Sequence, residues 1–203
     1  MKIALYGASG HGKVVGEIAQ LLGYEIIALV DDAKEPKELF NLRSIPSQTF
    51  FERFPETPVA LGIGDNSTRA KIFTILKEKG YNLPILIHPH ATVSRESIWG
   101  EGSVAMAGVI VNASTSIGEG VILNSGVVVE HDNEIGSFAH LSPRVACAGG
   151  VRVGRLSHLG IGACVIQNLT IGESCVIGAG SVVINDIESF KKVVGNPAKR
   201  ELP

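Results

Sequence analysis

The second half of the chain repeats with a period of six residues. An apolar residue occupies every sixth position without interruption: Val93, Trp99, Ala105, Val111, Ile117, Leu123, Val129, Ile135, Leu141, Cys147, Val153, Leu159, Val165, Ile171, Ile177 and Val183. Neither an α-helix nor an alternating strand repeats every six residues, whereas a hexapeptide β-helix does. Three hexapeptides form one triangular coil, so residues eighteen apart stack about 4.8 Å from each other. We therefore predict a left-handed parallel β-helix, with five coils between Trp99 and Val183, as an exception to the right-handed crossover rule.

The first part of the chain has a different pattern, in which short apolar strands alternate with helical segments. The predicted elements are a strand at Lys2–Tyr6, a glycine-rich turn at Gly7–Gly12, a helix at Lys13–Leu22, strands at Glu25–Val30 and Val59–Ile63, and a helix from Asn66 or Ser67 to about Lys79. This order is typical of a small, mostly parallel sheet covered by helices. We predict a Rossmann-like α/β domain at residues 1–85. The β-helix domain and a C-terminal tail follow at residues 86–203.

Composition excludes several classes of protein. The net charge is −2 and the sequence pI is about 6.3, so no basic field predicts a nucleic-acid partner. We expect a cytoplasmic protein without a membrane partner, because the N-terminus lacks a signal-peptide pattern and no apolar run could span a bilayer. The three cysteines form an odd set without Cys-x-x-Cys spacing. This spacing argues against disulfides and a zinc knuckle, and we expect no bound metal.

His131 is the first candidate for catalysis, because carboxylates flank it on both sides within an otherwise bland repeat. Asp132 could accept a hydrogen bond from one ring nitrogen and leave the other to take a proton from an amine. The alternative is a solvated surface cluster. The repeat favours a site, since Gly149 lies eighteen residues later and should stack over His131. Its N–H could then face the oxyanion that forms when a thioester is attacked.

Two further features predict binding. His140 should stack under His158, on a different ladder from His131, and these two residues are either ligand contacts or surface polar residues.

The turn Gly7-Ala-Ser-Gly10-His-Gly12 follows a strand and precedes a helix, as phosphate-binding turns do. Its spacing is G-x-x-G-x-G, unlike the G-x-G-x-x-G of dinucleotide enzymes, so we do not expect NAD. The alternative is a tight turn without a ligand.

Motifs along the whole chain resemble those of a known family. They are Tyr6-Gly-Ala-Ser-Gly-His-Gly12, Asp31-Asp32, Ile63-Gly-Asp-Asn66, Ile87-His-Pro89, Ile122-Leu-Asn124, Glu130-His131, Cys147-Ala-Gly149 and Val194-Gly-Asn-Pro-Ala-Lys199. Together they resemble the bacterial sugar O/N-acyltransferases, which include the sialic acid O-acetyltransferases and the UDP-4-amino-sugar N-acetyltransferases of bacillosamine biosynthesis.

The resemblance implies a homotrimer whose active site lies in the cleft between adjacent β-helices. His131 is similar to the family's general base, and the Gly149 N–H to its oxyanion donor; Asp132 stands where the family often has Glu. The implied contacts to acetyl-CoA, the co-substrate, are His140, Ile161 and Ala179. The implied contacts to the nucleotide sugar are Ser9, Gly10, His11, Asp31, Asp32, Gly64 and Asn124.

The resemblance therefore predicts N-acetylation of a UDP-4-amino-4,6-dideoxy sugar, with residues 1–85 binding the nucleotide sugar and residues 86–203 transferring the acetyl group. The first alternative is O-acetylation of sialic acid or of another nucleotide sugar. A remote alternative is a γ-type carbonic anhydrase, in which His131, His140 and His158 would bind zinc. That function would leave the N-terminal domain without a purpose. A scaffold without enzymatic activity is the remaining alternative, because a repeat does not by itself specify a reaction.

Overall fold

A computed structural model describes residues 1–202. The N-terminal region contains a three-stranded parallel sheet with the strand order β2-β1-β5. Its elements are β1 (Lys2–Tyr6), α1 (Gly10–Leu21), β2 (Glu25–Val30), β3 (Glu38–Leu39), β4 (Leu42–Arg43), α2 (Ser47–Arg53), β5 (Val59–Leu61) and α3 (Asn66–Glu78). The small hairpin β3-β4 and the helix α2 were not predicted, because such short elements show no clear hydrophobic period.

Capping side chains explain two differences from the prediction. Helix α1 begins earlier than predicted, and helix α3 has a different N-cap residue. Helix α1 begins at Gly10, because the Ser9 hydroxyl accepts a hydrogen bond from the N–H of Gly12. Helix α3 is capped by Asp65, whose carboxylate accepts from the N–H of Thr68 at 2.8 Å. The prediction of Asn66 or Ser67 as this cap is wrong. The negative charge of an aspartate at the N-cap position is also stabilised by the positive end of the helix dipole.

The remainder of the chain coils into a parallel β-helix with three faces. The docking face contains Leu86–Ile87, Val104–Ala105, Ile122–Leu123, His140–Leu141, His158–Leu159, Val176–Ile177 and Lys192–Val194, with Arg200–Glu201 paired antiparallel to the last. The apolar face contains Thr92–Val93, Ile110–Val111, Val128–Val129, Ala146–Cys147, Cys164–Val165 and Val182–Val183. The polar face contains Ile98–Trp99, Ser116–Ile117, Glu134–Ile135, Arg152–Val153 and Thr170–Ile171.

The observed register matches the predicted period. Partners in adjacent coils are eighteen residues apart, as in the pair Ile110 and Val128. The second residue of almost every strand points inward and is buried, whereas the first faces outward. The predicted fold class, an α/β domain followed by a β-helix of hexapeptide repeats, is confirmed.

The N-terminal domain packs on the first coils of the docking face. Outward-facing Leu86, Val104 and Ile122 are buried in one cluster with apolar residues of β1 and α1, such as Leu5 and Ile18. At about 25 cal/mol per Å² of apolar surface, each buried side chain stabilises this contact by roughly 1.5–3 kcal/mol. The two parts therefore share a core. No helix within residues 1–202 has the length and hydropathy needed to cross a membrane.

Candidate active site

His131 lies at the corner of the β-helix between the apolar and polar faces, which we call the histidine corner (residues 131–132 and 149–150). Its Nδ1 is 2.7 Å from Oδ2 of Asp132. A carboxylate can only accept a hydrogen bond, so Nδ1 carries the proton and Nε2 presents its lone pair. The two side chains are 62% and 64% exposed. The imidazole is thus oriented as a base that a substrate can reach.

Gly149 lies one coil further along the helix axis and packs directly against this ring. A Cβ atom added to Gly149 would be 2.6 Å from Cε1 of His131, so no residue larger than glycine fits beside the ring in this position. Within the described residues, the Gly149 N–H donates to no other group, whereas the N–H of Gly150 donates to the carbonyl of His131. A free N–H beside a base can stabilise the oxyanion of an acyl-transfer reaction.

Glu130, the second carboxylate beside His131, has a different role. Its Oε2 accepts a 2.7 Å hydrogen bond from the side chain of Asn112 in the preceding coil. The ring of His131 therefore has Asp132 as its carboxylate partner.

Asn133, which was not among the predicted site residues, is completely buried behind the histidine corner. Its Nδ2 lies within 3.2 Å of three backbone carbonyl oxygens, those of Glu130, His131 and Ala148. The signal was present in the sequence. Asn133 occupies the small-or-β-branched slot of the repeat, four positions after an apolar slot, and it is the one amide in that series.

Three histidines, His11, His140 and His158, form a group where the N-terminal domain meets the docking face, and we call this group the histidine cluster. The rings of His140 and His158 stack 4.8 Å apart and 10° from parallel, as strand neighbours in adjacent coils. The ring of His11 from α1 lies 6.4 Å from that of His140. Nε2 of His140 is 3.3 Å from the side-chain amide nitrogen of Asn124, and Gly64 lines the same cleft as His140. The structure thus brings four of the predicted ligand contacts together: His11, Gly64, Asn124 and His140.

These histidines are held neutral. Burial, together with the charge of Arg69, lowers the pKa of His11 to about 4. Burial lowers the pKa of His140 to about 3, with further contributions from His158, Arg69 and His11. Burial and then Arg69 also lower the pKa of His158. At neutral pH these rings are hydrogen-bonding groups rather than cations.

Arg69 joins the two domains. Its guanidinium is buried, and burial lowers its pKa to about 10. Nε donates to the carbonyl of Gly120 at 2.7 Å and Nη2 to that of Phe138 at 2.8 Å, both in the β-helix. Nη1 donates to the carbonyls of Ile63 and Gly64 in the N-terminal domain. One side chain therefore fixes the Gly64 loop beside the histidine cluster.

Close packing explains two of the three glycines in the Gly7–Gly12 motif, which includes the first residues of α1. A Cβ on Gly7 would lie 2.7 Å from the carbonyl oxygen of Gly62, and one on Gly12 would lie 2.1 Å from that of Gly7. A Cβ on Gly10 would meet nothing within 4 Å. Packing therefore does not explain Gly10, which borders open space at the beginning of a helix, where anions are favoured.

The two predicted nucleotide-binding acids line a cleft of about 370 Å³ together with Tyr6, Gly7, Ala33, Ile63, Thr68 and Ile72. Burial alone would raise the pKa of Asp31, but hydrogen bonds from the N–H groups of Ala8 and Ala33 and from Lys37 lower it overall. Asp32 accepts hydrogen bonds from the Tyr6 hydroxyl and from the N–H of Ser47. Both carboxylates are thus held in place just after the carboxyl end of β2, the edge at which α/β sheets bind ligands.

A larger cleft of about 520 Å³ lies between the beginning of α3 and the docking face. It is lined by Gly64, Asp65, Asn66, Ser67, His140, Leu156, His158, Ser174, Cys175 and Val176. It opens at the histidine cluster, away from the histidine corner. Two stacked imidazoles and an apolar wall give it the character of a small-molecule site.

Known proteins are similar to this chain in both fold and sequence. Residues 2–76 match the family model described as the PglD N-terminal domain. The acetyltransferase domain of PglB from Neisseria gonorrhoeae FA1090, solved with acetyl coenzyme A, is 39% identical, with a TM-score of 0.92 and 98% of each chain covered. The chain belongs to this family of PglD-like sugar N-acetyltransferases.

Two further relatives show the range of this family. PerB from Caulobacter crescentus, solved with CoA and GDP-perosamine, is 36% identical, with a TM-score of 0.93 and coverage of 98% of this chain and 96% of that one. The UDP-N-acetylbacillosamine N-acetyltransferase of Bacillus subtilis (strain 168) is 36% identical over 118 residues. That alignment spans 52% of this chain and about half, 51%, of the relative.

The predicted site residues of this PglD-like chain lie in separate parts of the structure. His131 lies between the apolar and polar faces. Ile161 and Ala179 lie at the corner between the docking and apolar faces, where the N–H of Gly180 bonds to the carbonyl of Ile161. Apart from Asn124 on the β-helix, the predicted nucleotide-sugar contacts lie on the N-terminal domain. Within a single chain, the predicted base and the predicted acetyl-CoA contacts therefore do not lie at one corner.

The histidines considered for zinc are also separated, since His131 is at a different corner from His140 and His158. Across residues 1–202, no group of three or more His, Cys, Asp or Glu side chains is arranged to hold a metal ion.

Proposed function

We propose that this chain transfers the acetyl group of acetyl-CoA to the amino group of a nucleotide-linked 4-amino-4,6-dideoxy sugar, with UDP as the first candidate nucleotide. The observation that carries this proposal is the histidine corner, where an oriented imidazole and a free backbone N–H lie side by side. Such a pair provides a base and an oxyanion donor for acyl transfer. The named activities of the family members above agree with it.

The reaction needs a small number of steps. The amine nitrogen attacks the thioester carbonyl carbon, and its proton passes to Nε2 of His131. The carbonyl oxygen becomes an oxyanion, which accepts a hydrogen bond from the Gly149 N–H. The C–S bond then breaks, the thiolate of CoA takes the proton back from the imidazolium, and the amide product leaves. Asp132 stabilises the imidazolium while it exists.

The remaining site residues bind the two substrates in this proposal. The turn with Ser9, Gly10 and His11 holds the sugar nucleotide's phosphates near the positive end of α1. The acids Asp31 and Asp32 contact the nucleoside in the 370 Å³ cleft, and Gly64 and Asn124 complete the sugar-nucleotide site. On the β-helix, His140, Ile161 and Ala179 contact acetyl-CoA.

A homotrimer is part of this proposal, because the apolar face lies between the corner of His131 and that of Ile161 and Ala179. The outward ladder on this face carries no charge: Thr92, Ile110, Val128, Ala146, Cys164 and Val182. The polar face instead carries the ion pair of Glu134 and Arg152. Burying the apolar face against another copy would bring the two corners together. Sedimentation of the purified chain as a monomer at micromolar concentration would contradict this assembly.

A second candidate acceptor is a GDP-linked sugar, because PerB, 36% identical over nearly the whole chain, was solved with GDP-perosamine. The test is a panel of acceptors with acetyl-CoA: a UDP-4-amino-4,6-dideoxy sugar, GDP-perosamine, the corresponding 4-hydroxy sugar nucleotides and sialic acid. Release of CoA thiol is measured against blanks without acceptor, which correct for the free cysteine thiols of the protein itself.

Thiol release with the UDP-amino sugar, and an acetamide product by mass spectrometry, is the expected result. Turnover with hydroxyl acceptors alone would replace this proposal by O-acetylation. No turnover with any acceptor would contradict acetyl transfer to sugars altogether. The cytoplasmic location expected from the sequence stays a prediction.

A further inference from the structure

We propose that Asn133 is a positioning residue that aims the N–H of Gly149 at the reacting carbonyl group. This inference rests on the proposed function, in which that N–H stabilises the oxyanion. Asn133 is 0% exposed and touches no substrate; it would act through the backbone.

The hydrogen bonds of Asn133 cross from one coil to the next. Its Nδ2 lies 2.9 Å from the carbonyl oxygen of Ala148, the residue just before Gly149. It also lies 2.7 Å from the carbonyl oxygen of Glu130, just before His131. The side-chain amide of Asn133 thus holds two peptide groups, the one between Glu130 and His131 and the one between Ala148 and Gly149. Each of them leads into one of the two stacked turns of the histidine corner.

The planarity of the peptide bond gives these contacts their consequence. In a trans peptide the C=O and N–H groups point in opposite directions. Because Asn133 draws the carbonyl of Ala148 toward the interior of the β-helix, the N–H of Gly149 must point outward. The imidazole of His131 packs against Gly149 on that same outer side. The oxyanion donor and the base are therefore set relative to each other from inside.

The rest of the repeat shows that the fold does not need an amide in this slot. Corresponding interior positions elsewhere hold Val127, Val145 and Val151, all completely buried. Asn133 also leaves its own Oδ1 buried without a hydrogen-bond partner, which is unfavourable for stability. A residue that breaks the local pattern at such a disadvantage is expected at a functional site.

Two other interior side chains allow a sharp comparison. The hydroxyl of Thr115 also donates to the carbonyl of Glu130, at 2.9 Å, but not to that of Ala148. The hydroxyl of Ser157 donates at 2.7 Å to the carbonyl of Gly172, fifteen residues later. Asn133 and Ala148 have the same spacing, so a serine at position 133 can make the equivalent bond.

The experiment uses the full chain with four substitutions: Asn133→Val, Asn133→Ser, Thr115→Val and, as a control, Ser103→Ala. Ser103 is buried and its hydroxyl donates to the carbonyl of Gly100, in a coil away from the histidine corner. For each variant, kcat, both KM values, the affinity for CoA by calorimetry and the midpoint of thermal unfolding are measured with the best acceptor of the panel.

We expect Asn133→Val to lower kcat at least about tenfold, with KM values within about twofold, because an oxyanion donor acts mainly in the transition state. Asn133→Ser should recover most of this loss. Thr115→Val should lower kcat less than Asn133→Val, and Ser103→Ala should not lower it.

Several results would contradict the inference. They are an unchanged kcat in Asn133→Val, an Asn133→Ser variant as slow as Asn133→Val, or losses of kcat that follow the unfolding midpoint across all four variants. If Asn133→Val does not fold, Asn133→Ala against Asn133→Ser makes the same comparison with one hydroxyl as the difference. Absence of transfer by the unaltered chain would instead overturn the proposed function, and this inference with it.

Discussion

The imidazole of His131 has one nitrogen bonded to a carboxylate and the other free, and this asymmetry predicts how its loss acts. We expect His131→Ala to reduce kcat/KM at least roughly a hundredfold, the usual effect of removing a general base. The affinity for CoA should change little, because the ring is exposed and packs only on a corner. Steady-state kinetics and calorimetry test both statements. Near-normal turnover by this variant would show that His131 is not the base.

Asp132 adopts a left-handed backbone conformation, with a φ of +59°, that asparagine also tolerates. Asp132→Asn therefore keeps the turn and a hydrogen-bond acceptor for Nδ1 but removes the charge that stabilises the imidazolium. We expect kcat to fall by about tenfold or more while KM changes less. The matched control is Glu134→Gln, an exposed acid nearby that pairs with Arg152. Equal kinetics for both variants would mean that Asp132 is only a solvated turn residue.

At the scale of elements, stacking of two turns makes Gly149 and His131 interdependent. Gly149 has no positive φ, so alanine is permitted by the backbone, but its Cβ would displace the ring of His131. We expect Gly149→Ala to lower kcat/KM by at least about tenfold and to cost little stability, since the exposed ring can move outward.

The double variant provides the control for this prediction. In the His131→Ala background there is no ring to displace, so Gly149→Ala should cause little further loss of kcat/KM. A full, additive loss in the double variant would indicate that alanine at position 149 acts independently of the ring.

At the scale of the whole molecule, Arg69 holds the N-terminal domain on the β-helix through backbone carbonyls of both. Arg69→Met would leave several buried carbonyl groups without a donor, and each costs about 1–3 kcal/mol. We expect the free energy of unfolding to fall by about 3 kcal/mol or more, measured by chemical denaturation. Lys71→Met, at an exposed position of the same helix, is the control and should change little. Equal effects would show that Arg69 does not join the domains.

The buried histidines at the same interface predict how stability depends on pH. Their pKa values in the folded chain, about 4 for His11 and about 3 for His140, lie below the ordinary value of 6.5. The unfolded chain therefore binds protons below about pH 6.5 that the folded chain does not. The free energy of unfolding should fall from pH 6.5 toward pH 4, by up to about 1.4 kcal/mol per pH unit for each histidine.

Above pH 6.5 these histidines should contribute no pH dependence. Denaturation curves at several pH values measure the slope, and His140→Gln should flatten it, whereas the exposed His90→Gln should leave it unchanged. An equal slope in His140→Gln would contradict the buried, neutral state of His140.

Those parts of the protein that depend on periodic burial could be predicted from the amino-acid sequence. An apolar residue at every sixth position is buried when the chain coils into a β-helix of three hexapeptides per coil. The fold, the eighteen-residue spacing between strand partners and the stacking of His140 on His158 could therefore be predicted by counting residues. The same arithmetic placed Gly149 beside His131. The alternating pattern of the first domain predicted a parallel sheet, but not its short hairpin, because two-residue strands carry no period.

The polar contacts between distant elements, in contrast, could be identified from the three-dimensional structure and not from the sequence. Arg69 lies in a helix whose apolar residues follow the usual helical spacing, so nothing in the pattern singles it out. Its partners are backbone carbonyl groups, which every residue has, so the sequence does not indicate which of them it contacts. The side chain of Asn133 likewise bonds to the backbone of another coil, and the structure alone shows that its Oδ1 atom is left without a partner. Apolar burial repeats along the chain and can be read from it, whereas hydrogen bonds to backbone groups depend on how distant segments are brought together in space.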